Sequence, residues 1–211
     1  MRTSPSLVLP RIGWWTTLIL ALGISGYATY VWVAGPDSYV PPLADSFQSR
    51  PWGIIPHALF GAIALAMGPF QFHKGIRARR LGLHRIIGRV YVGATMVSAV
   101  AGLYMAFFSF GGLVTHLGFG MMAAVTLVAT TFALIRIRAG NITSHQQWML
   151  RSYALLFSAV TLRLWLPLLS AAFGSFEPAY LAVSWVSWVP NLLVVEWYIQ
   201  RAKRQPKLAL G

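Results

Sequence analysis

The chain contains no cysteine. Disulfides, iron–sulfur clusters, zinc ribbons, thiolate-ligated haem and covalent C-x-x-C-H haem attachment are therefore excluded, while the redox state of the compartment is left open. Acid is almost as scarce. Asp37, Asp45, Glu177 and Glu196 are the four carboxylates of the 211 residues, too few and too scattered for a carboxylate-built cation site. Charged residues of either sign amount to 10% of the chain, where a soluble domain carries about 25%. The phosphate-cradling patterns GxGxxG and GxxxxGK[ST] are absent, as are internal repeats and low-complexity tracts. Segments of about 10 residues alternating apolar with polar, the mark of a membrane β-barrel, are missing too.

Apolar runs fill the chain instead. It is 57% hydrophobic with a mean hydropathy of +0.63, and runs near the ~20 residues needed to cross hydrocarbon as a helix recur along it. The sequence predicts six spans: Gly13–Ala34, Gly53–Phe72, Ile86–Phe108, Gly112–Ile135, Trp148–Phe173 and Ala179–Gln200. This is an all-α, polytopic membrane protein, with residues 1–211 forming one transmembrane domain around a central four-helix bundle of spans two to five. Span one reads as a retained signal anchor. Gly35–Trp52, with Pro36, Pro41, Pro42 and Pro51, reads as an irregular loop. Lys74–Arg85 and Arg136–Gln147 read as basic loops, and Gly111-Gly112 and Gly174–Pro178 as tight connections.

The net charge of +13 would prompt a test for nucleic acid binding in a soluble protein. Here its distribution gives another reason, and no nucleic acid partner is expected. Of the 17 basic residues, all but Arg50 and Arg163 fall at alternate span ends, on the side of both termini. The positive-inside rule then places both termini in the cytoplasm and the chain in a cytoplasmic (inner) membrane. The lipid bilayer is its first partner.

Four of the five histidines fall at alternating ends of four successive spans. His57 and His116 lie towards one face of the membrane, His84 and His145 towards the other. In a four-helix arrangement each pair can face across the bundle centre, and a neutral imidazole on either side of a porphyrin gives six-coordinate iron suited to electron transfer. One or two haem b groups are the cofactors so expected. An interfacial histidine is also often only a polar residue at the boundary, and His73 is read in that way.

Further residues join the expected site. Gly61, Gly88 and Gly120 each follow a histidine by four residues, on the same helix face, where a flat macrocycle needs a position without a side chain; close helix packing uses glycine equally well. Arg85, Arg89 and Arg151 stand near the His84/His145 pair as candidate propionate partners. Arg163 lies inside span five, where a charge is costly unless paired. Five helical turns separate it from His145, which puts both on one face of a continuous helix. Two readings of Arg163 stand level: a propionate partner for the outer haem, or a guanidinium satisfied by backbone carbonyls, polar side chains or lipid. Glu196, the only acid within a span, is placed to snorkel or to pair with Arg151.

Two resemblances follow from these residues. The order and sidedness of His57/His116 and His84/His145 over roughly 52–163 resemble the cytochrome b561 superfamily, which implies transmembrane electron transfer; the ascorbate-site sequences of that superfamily are not evident. More literal is the stretch Gly68-Pro69-Phe70-Gln71-Phe72, with His84-Arg85-Ile86-Ile87-Gly88-Arg89-Val90-Tyr91-Val92, His145-Gln146-Gln147-Trp148-Met149-Leu150-Arg151-Ser152-Tyr153-Ala154-Leu155, Ala159–Arg163, and Asn191 with Glu196. These look like the bacterial predicted-membrane-protein family designated domain of unknown function 2306. That family implies a multi-pass membrane protein and no activity; His57, His84 and His145 fit its pattern better than His116.

The function expected from the sequence is that of a b-type cytochrome-like electron carrier, a possible transmembrane oxidoreductase, with a quinone or a redox protein as partner. The alternatives are a small transporter or a lipid- or anion-binding subunit centred on Arg163 and Arg151, or a structural or assembly protein of the membrane.

Overall fold

The computed structural model describes residues 11–204. Arg2 and Lys207, counted among the basic residues above, lie outside them. Among the described residues the chain is all helix, without a strand. Its elements are α1 (Arg11–Ala34), a 3-10 turn (Pro36–Ser38), α2 (Pro41–Gln48), α3 (Pro51–Phe72), α4 (Lys74–Arg79), α5 (Leu81–Ala106), α6 (Leu113–Arg138), α7 (Ile142–Leu156), α8 (Ser158–Phe173), α9 (Phe176–Val186) and α10 (Val189–Arg204). Six stretches are long and apolar enough to cross a bilayer: Gly13–Ala34, Pro51–Phe72, Leu81–Ala106, Leu113–Arg138, Ile142–Phe173 and Phe176–Arg204.

Helices α3, α5, α6 and α7 close a ring in which each packs on the next, with α1 outside α3 and α10 outside α7. The expected four-helix centre is therefore present. Neighbours run antiparallel. Trp14 Nε1 near the start of α1 donates to the Pro69 carbonyl near the end of α3 (2.8 Å), and Gln71 Nε2 at the end of α3 donates to the His84 carbonyl at the start of α5 (3.5 Å). This alternation gathers the ends carrying Arg77, Arg85, Arg136, Arg138, Arg201 and Lys203 at one end of the bundle, called the basic end below.

Several boundaries differ from those the sequence predicts. The Pro-rich connection is not irregular: Pro41 and Pro42 occupy the first turn of α2, where a missing N–H costs nothing. The basic loop after α6 shrinks to Ala139–Asn141. Gly140 takes a positive φ of 73°, and the Asn141 side chain caps α7 by accepting from the Ser144 N–H (3.0 Å). The loop between α3 and α5 contains α4, capped by His73 Nδ1, which accepts from the Ile76 N–H (3.4 Å) while its ring meets Trp14 edge-on. His73 is thus an interfacial cap, as its place in the sequence suggests.

Spans five and six are both broken, at Phe157 and at Ser187–Trp188. Pro190 in the first turn of α10 has no N–H to carry a helix through. The two breaks are stitched together by one side chain. Asn191 Nδ2 donates to the Ala154 carbonyl (3.2 Å) beside the first break, to the Ser187 carbonyl (3.0 Å) at the second, and to Thr161 Oγ1 (3.0 Å) on α8. Thr161 Oγ1 in turn donates to the Ser187 carbonyl. A side chain inserted into the i→i−4 ladder is a recognised cause of kinking. Beyond its break α8 leaves the four-helix ring and packs on α9 and α1.

A third irregularity is filled from a neighbouring helix. Pro69 removes the N–H that the Leu65 carbonyl would receive, and the Tyr153 hydroxyl of α7 donates to that carbonyl instead (3.3 Å). The Tyr153 ring occupies the space where a Cβ on Gly68 would stand. In hydrocarbon such replacement is required, because no water is present to satisfy a freed carbonyl.

Candidate functional site

His84 and His145 both lie near the basic end, in the first turns of α5 and α7. His145 Nδ1 lies 2.9 Å from the Ala133 carbonyl of α6. A carbonyl can only accept, so Nδ1 carries the proton and Nε2 keeps its lone pair. His84 Nδ1 is buried and has no hydrogen-bond partner among the described residues. The two imidazoles are within electrostatic reach of each other, and Arg77 and Arg85 are within reach of His84. Partial burial of Arg77, on α4 outside the spans, pulls its guanidinium below the ordinary value by desolvation, and it stays cationic at neutral pH. The donor set is two imidazoles and two guanidiniums with no carboxylate among them. It suits an anionic group that also takes axial nitrogen ligands, as a haem with its propionates does.

His57 and His116 do not form a matching pair. His57 Nδ1 donates to the Ser98 carbonyl of α5 (3.0 Å) and Ser98 Oγ returns a bond to the His57 carbonyl (2.8 Å), a reciprocal clasp between α3 and α5. A Cβ on Gly102 would stand 2.7 Å from His57 Nδ1, so this glycine makes room for the ring. His116 Nε2, on α6, donates to the Ser109 carbonyl of its own preceding loop (3.1 Å). Helix α5 packs on both α3 and α6 and lies between the two histidines in the ring.

The three glycines expected to lie under a macrocycle have neighbouring helices over them. A Cβ on Gly61 would meet Ser98 Oγ at 3.0 Å, one on Gly88 would meet Gln71 Oε1 at 3.1 Å, and one on Gly120 would meet the Ala106 Cβ at 3.8 Å. Their role here is close helix approach.

The arginines divide. Arg85 and Arg89 are both exposed and neither makes a hydrogen bond to either histidine, though Arg85 is within electrostatic reach of His84. Arg151 is engaged elsewhere: its Nε and Nη2 both donate to Glu196 Oε2 (2.9 and 2.6 Å), and its guanidinium lies 4.7 Å from the centre of the Trp148 ring. Gln200 Nε2 holds the other Glu196 oxygen (2.6 Å). This pair ties α7 to α10 beside a mainly apolar cleft of about 340 Å³ between α6, α7 and α10, so neither a propionate nor a free anion has Arg151 to itself. Arg163 does not share a continuous helix with His145, because the break at Phe157 lies between them. Its Nη1 donates to the Ala159 carbonyl (2.8 Å) and its guanidinium lies 5.3 Å from the Tyr27 ring centre.

A polar core lies between the levels of His84 and His57 along α5, unpredicted from the sequence. The Tyr91 hydroxyl and Ser152 Oγ are 2.9 Å apart, and Ser152 Oγ and Thr130 Oγ1 are 2.8 Å apart, with all three residues fully buried. A signal for it was present: His84, Gly88, Tyr91, Thr95, Ser98 and Gly102 follow one another by alternate steps of four and three, which is a single face of α5.

The sequence matches the family described as predicted membrane protein (DUF2306) over residues 54–199. The chain belongs to that family. The matched stretch carries all five histidines, the Tyr91–Ser152–Thr130 core, the Asn191 stitch and the Arg151–Glu196 pair. No curated protein and no solved structure matches the chain, and nothing in these comparisons supports the likeness to cytochrome b561. What is established is a multi-pass membrane protein of a family without an assigned activity.

Proposed function

We propose that this family member is a membrane-embedded electron carrier that holds one haem b between His84 and His145, near the basic end of the bundle. The reading is supported by the common level of these two imidazoles, on α5 and α7, within electrostatic reach of each other, with the guanidiniums of Arg77 and Arg85 within reach of His84. A haem bound there supplies one-electron chemistry. The residues of the chain do the rest. The Ala133 carbonyl fixes the tautomer and orientation of His145, in the way that outer-shell carbonyls orient ligating imidazoles. Arg77 and Arg85 offer charge-assisted hydrogen bonds to carboxylates. His57 is assigned to helix packing and His116 to holding its own preceding loop, so the second haem expected from the sequence is dropped from the proposal.

The crowding of basic residues at one end supports a cytoplasmic position for that end and for both termini. The partner would be a membrane quinone or a redox protein docking at the same end.

The test is an absorption spectrum of the purified protein, expressed with ample haem supply, before and after dithionite. A Soret band and a reducible α-band are expected. Both should vanish in His84→Ala and His145→Ala and persist in His116→Ala. A colourless wild-type protein overturns the proposal.

A further inference from the structure

Among the described residues Arg163 is a cation without a counter-charge. It lies in span five, ten residues from the end of α8 and about 15 Å along the helix from it. None of the four carboxylates forms an ion pair with it: Glu196 is bound to Arg151 in the single ion pair found among the described residues, and Asp37, Asp45 and Glu177 pair with nothing cationic there. One of its nitrogens, Nη1, is occupied by the Ala159 carbonyl; Nε and Nη2 make no hydrogen bond among the described residues. The side chain is half-buried, so these donors are not sealed off. Around the guanidinium stand the ring of Tyr27 from α1, at 5.3 Å, and, within electrostatic reach, His57 from α3. A ring face and one carbonyl ease a buried guanidinium, but they do not neutralise it.

We propose that Arg163 is the binding site for an oxyanion, a phosphate or carboxylate group, that enters between α1, α3 and α8 from the end opposite the basic one. The planar guanidinium fork with two adjacent free donors, Nε and Nη2, matches two oxygens of such a group. Tyr27 holds the plane of the fork. The ligand supplies the negative charge that the described residues do not place there. This site is separate from His84 and His145, sits towards the other membrane face, and stands whether or not haem is bound.

The shared chemistry is met by an anionic lipid headgroup or by a free oxyanion, and the test separates them. Thermal unfolding would be followed for the full chain in nanodiscs of phosphatidylcholine alone, of phosphatidylcholine with phosphatidylglycerol, and of phosphatidylcholine with inorganic phosphate against chloride at equal ionic strength. At saturation a bound anion should raise Tm by about 5–10 °C. A rise with phosphatidylglycerol only assigns the site to a headgroup, and a rise with phosphate assigns it to a free oxyanion. In either case Arg163→Gln should abolish the rise, while Lys203→Gln at the basic end keeps it. No rise in either arm, or a rise undiminished in Arg163→Gln, overturns the proposal. Should Arg163→Gln fail to accumulate, Arg163→Lys replaces it. A point charge cannot engage two oxygens as the fork does, so the rise should fall by more than half, and an unchanged rise again overturns the proposal.

Discussion

The Tyr153 hydroxyl donates to the Leu65 carbonyl, which Pro69 leaves without its helical N–H, while the Tyr153 ring rests on Gly68. One side chain of α7 therefore completes the backbone of α3 and uses the only space that a Cβ on Gly68 could take. Tyr153→Phe should cost about 1 kcal/mol, the loss of one hydrogen bond to a buried carbonyl. Gly68→Ala should cost about 1–3 kcal/mol by overpacking. The two effects should not add, because a ring displaced by the added methyl group has already lost its bond to Leu65. Unfolding of the single and double variants in detergent measures the coupling, and strict additivity would show that the ring and the hydroxyl act separately.

Asn191 is the donor for carbonyls at two helix breaks. Asn191→Ala takes this donor from the Ala154 carbonyl and leaves the Ser187 carbonyl with Thr161 Oγ1 as its side-chain partner, and should destabilise the protein by about 1–3 kcal/mol. Asn191→Asp, almost identical in shape, should be at least as damaging, since a carboxylate accepts and cannot donate. If the Asp variant were as stable as the wild type, the stitch would not carry the load assigned to it.

The Arg151–Glu196 pair is unevenly covered, with side-chain exposures of 15% and 39%. Its partial exposure puts its worth between that of a surface pair and a buried one, about 1–2 kcal/mol. Glu196→Gln should lose most of this, and Arg151→Lys nearly as much, because the two-nitrogen contact and the stacking on Trp148 both require a guanidinium. A double-mutant cycle between these positions gives the coupling directly. A coupling near zero would mean that Trp148 alone holds Arg151.

The hydroxyl core offers a check on packing without charge. Tyr91→Phe leaves Ser152 with Thr130 as its remaining side-chain partner, at an expected cost of about 1 kcal/mol. Ser152→Ala removes both bonds and should cost more, with the helices otherwise unmoved. Thermal melts of the two variants, compared with any haem spectrum, separate a stability effect from an effect on the His84/His145 site.

Much of the fold is legible in the order of residues alone. Apolar runs of span length and the clustering of lysine and arginine at alternate ends follow from the cost of placing charge in hydrocarbon, and both reappear as six spans with one basic end. The common end of His84 and His145 was readable for the same reason, since both sit in the first turn of helices that start there. What could not be read was lateral direction. Span length fixes depth but not rotation about the helix axis, so His57 could be given its height and not its partner, and it clasps Ser98. The five-turn relation of His145 to Arg163 failed because it assumed an unbroken helix. The side chain that stitches the break, Asn191, lies far along the chain in the following span.

The side-by-side breaks in spans five and six give the molecule a joint. Mechanically, each of these spans is two rods meeting end to end, and the four rods share one pin of Asn191 and Thr161. A push on the α8–α9 hairpin reaches α7 and α10 through those hydrogen bonds and not through continuous helical backbone. Arg163 rides on the hairpin side of the joint, while His145, Arg151 and Glu196 ride on the other. A ligand at either candidate site would therefore act on one side of a joint that lies between the two.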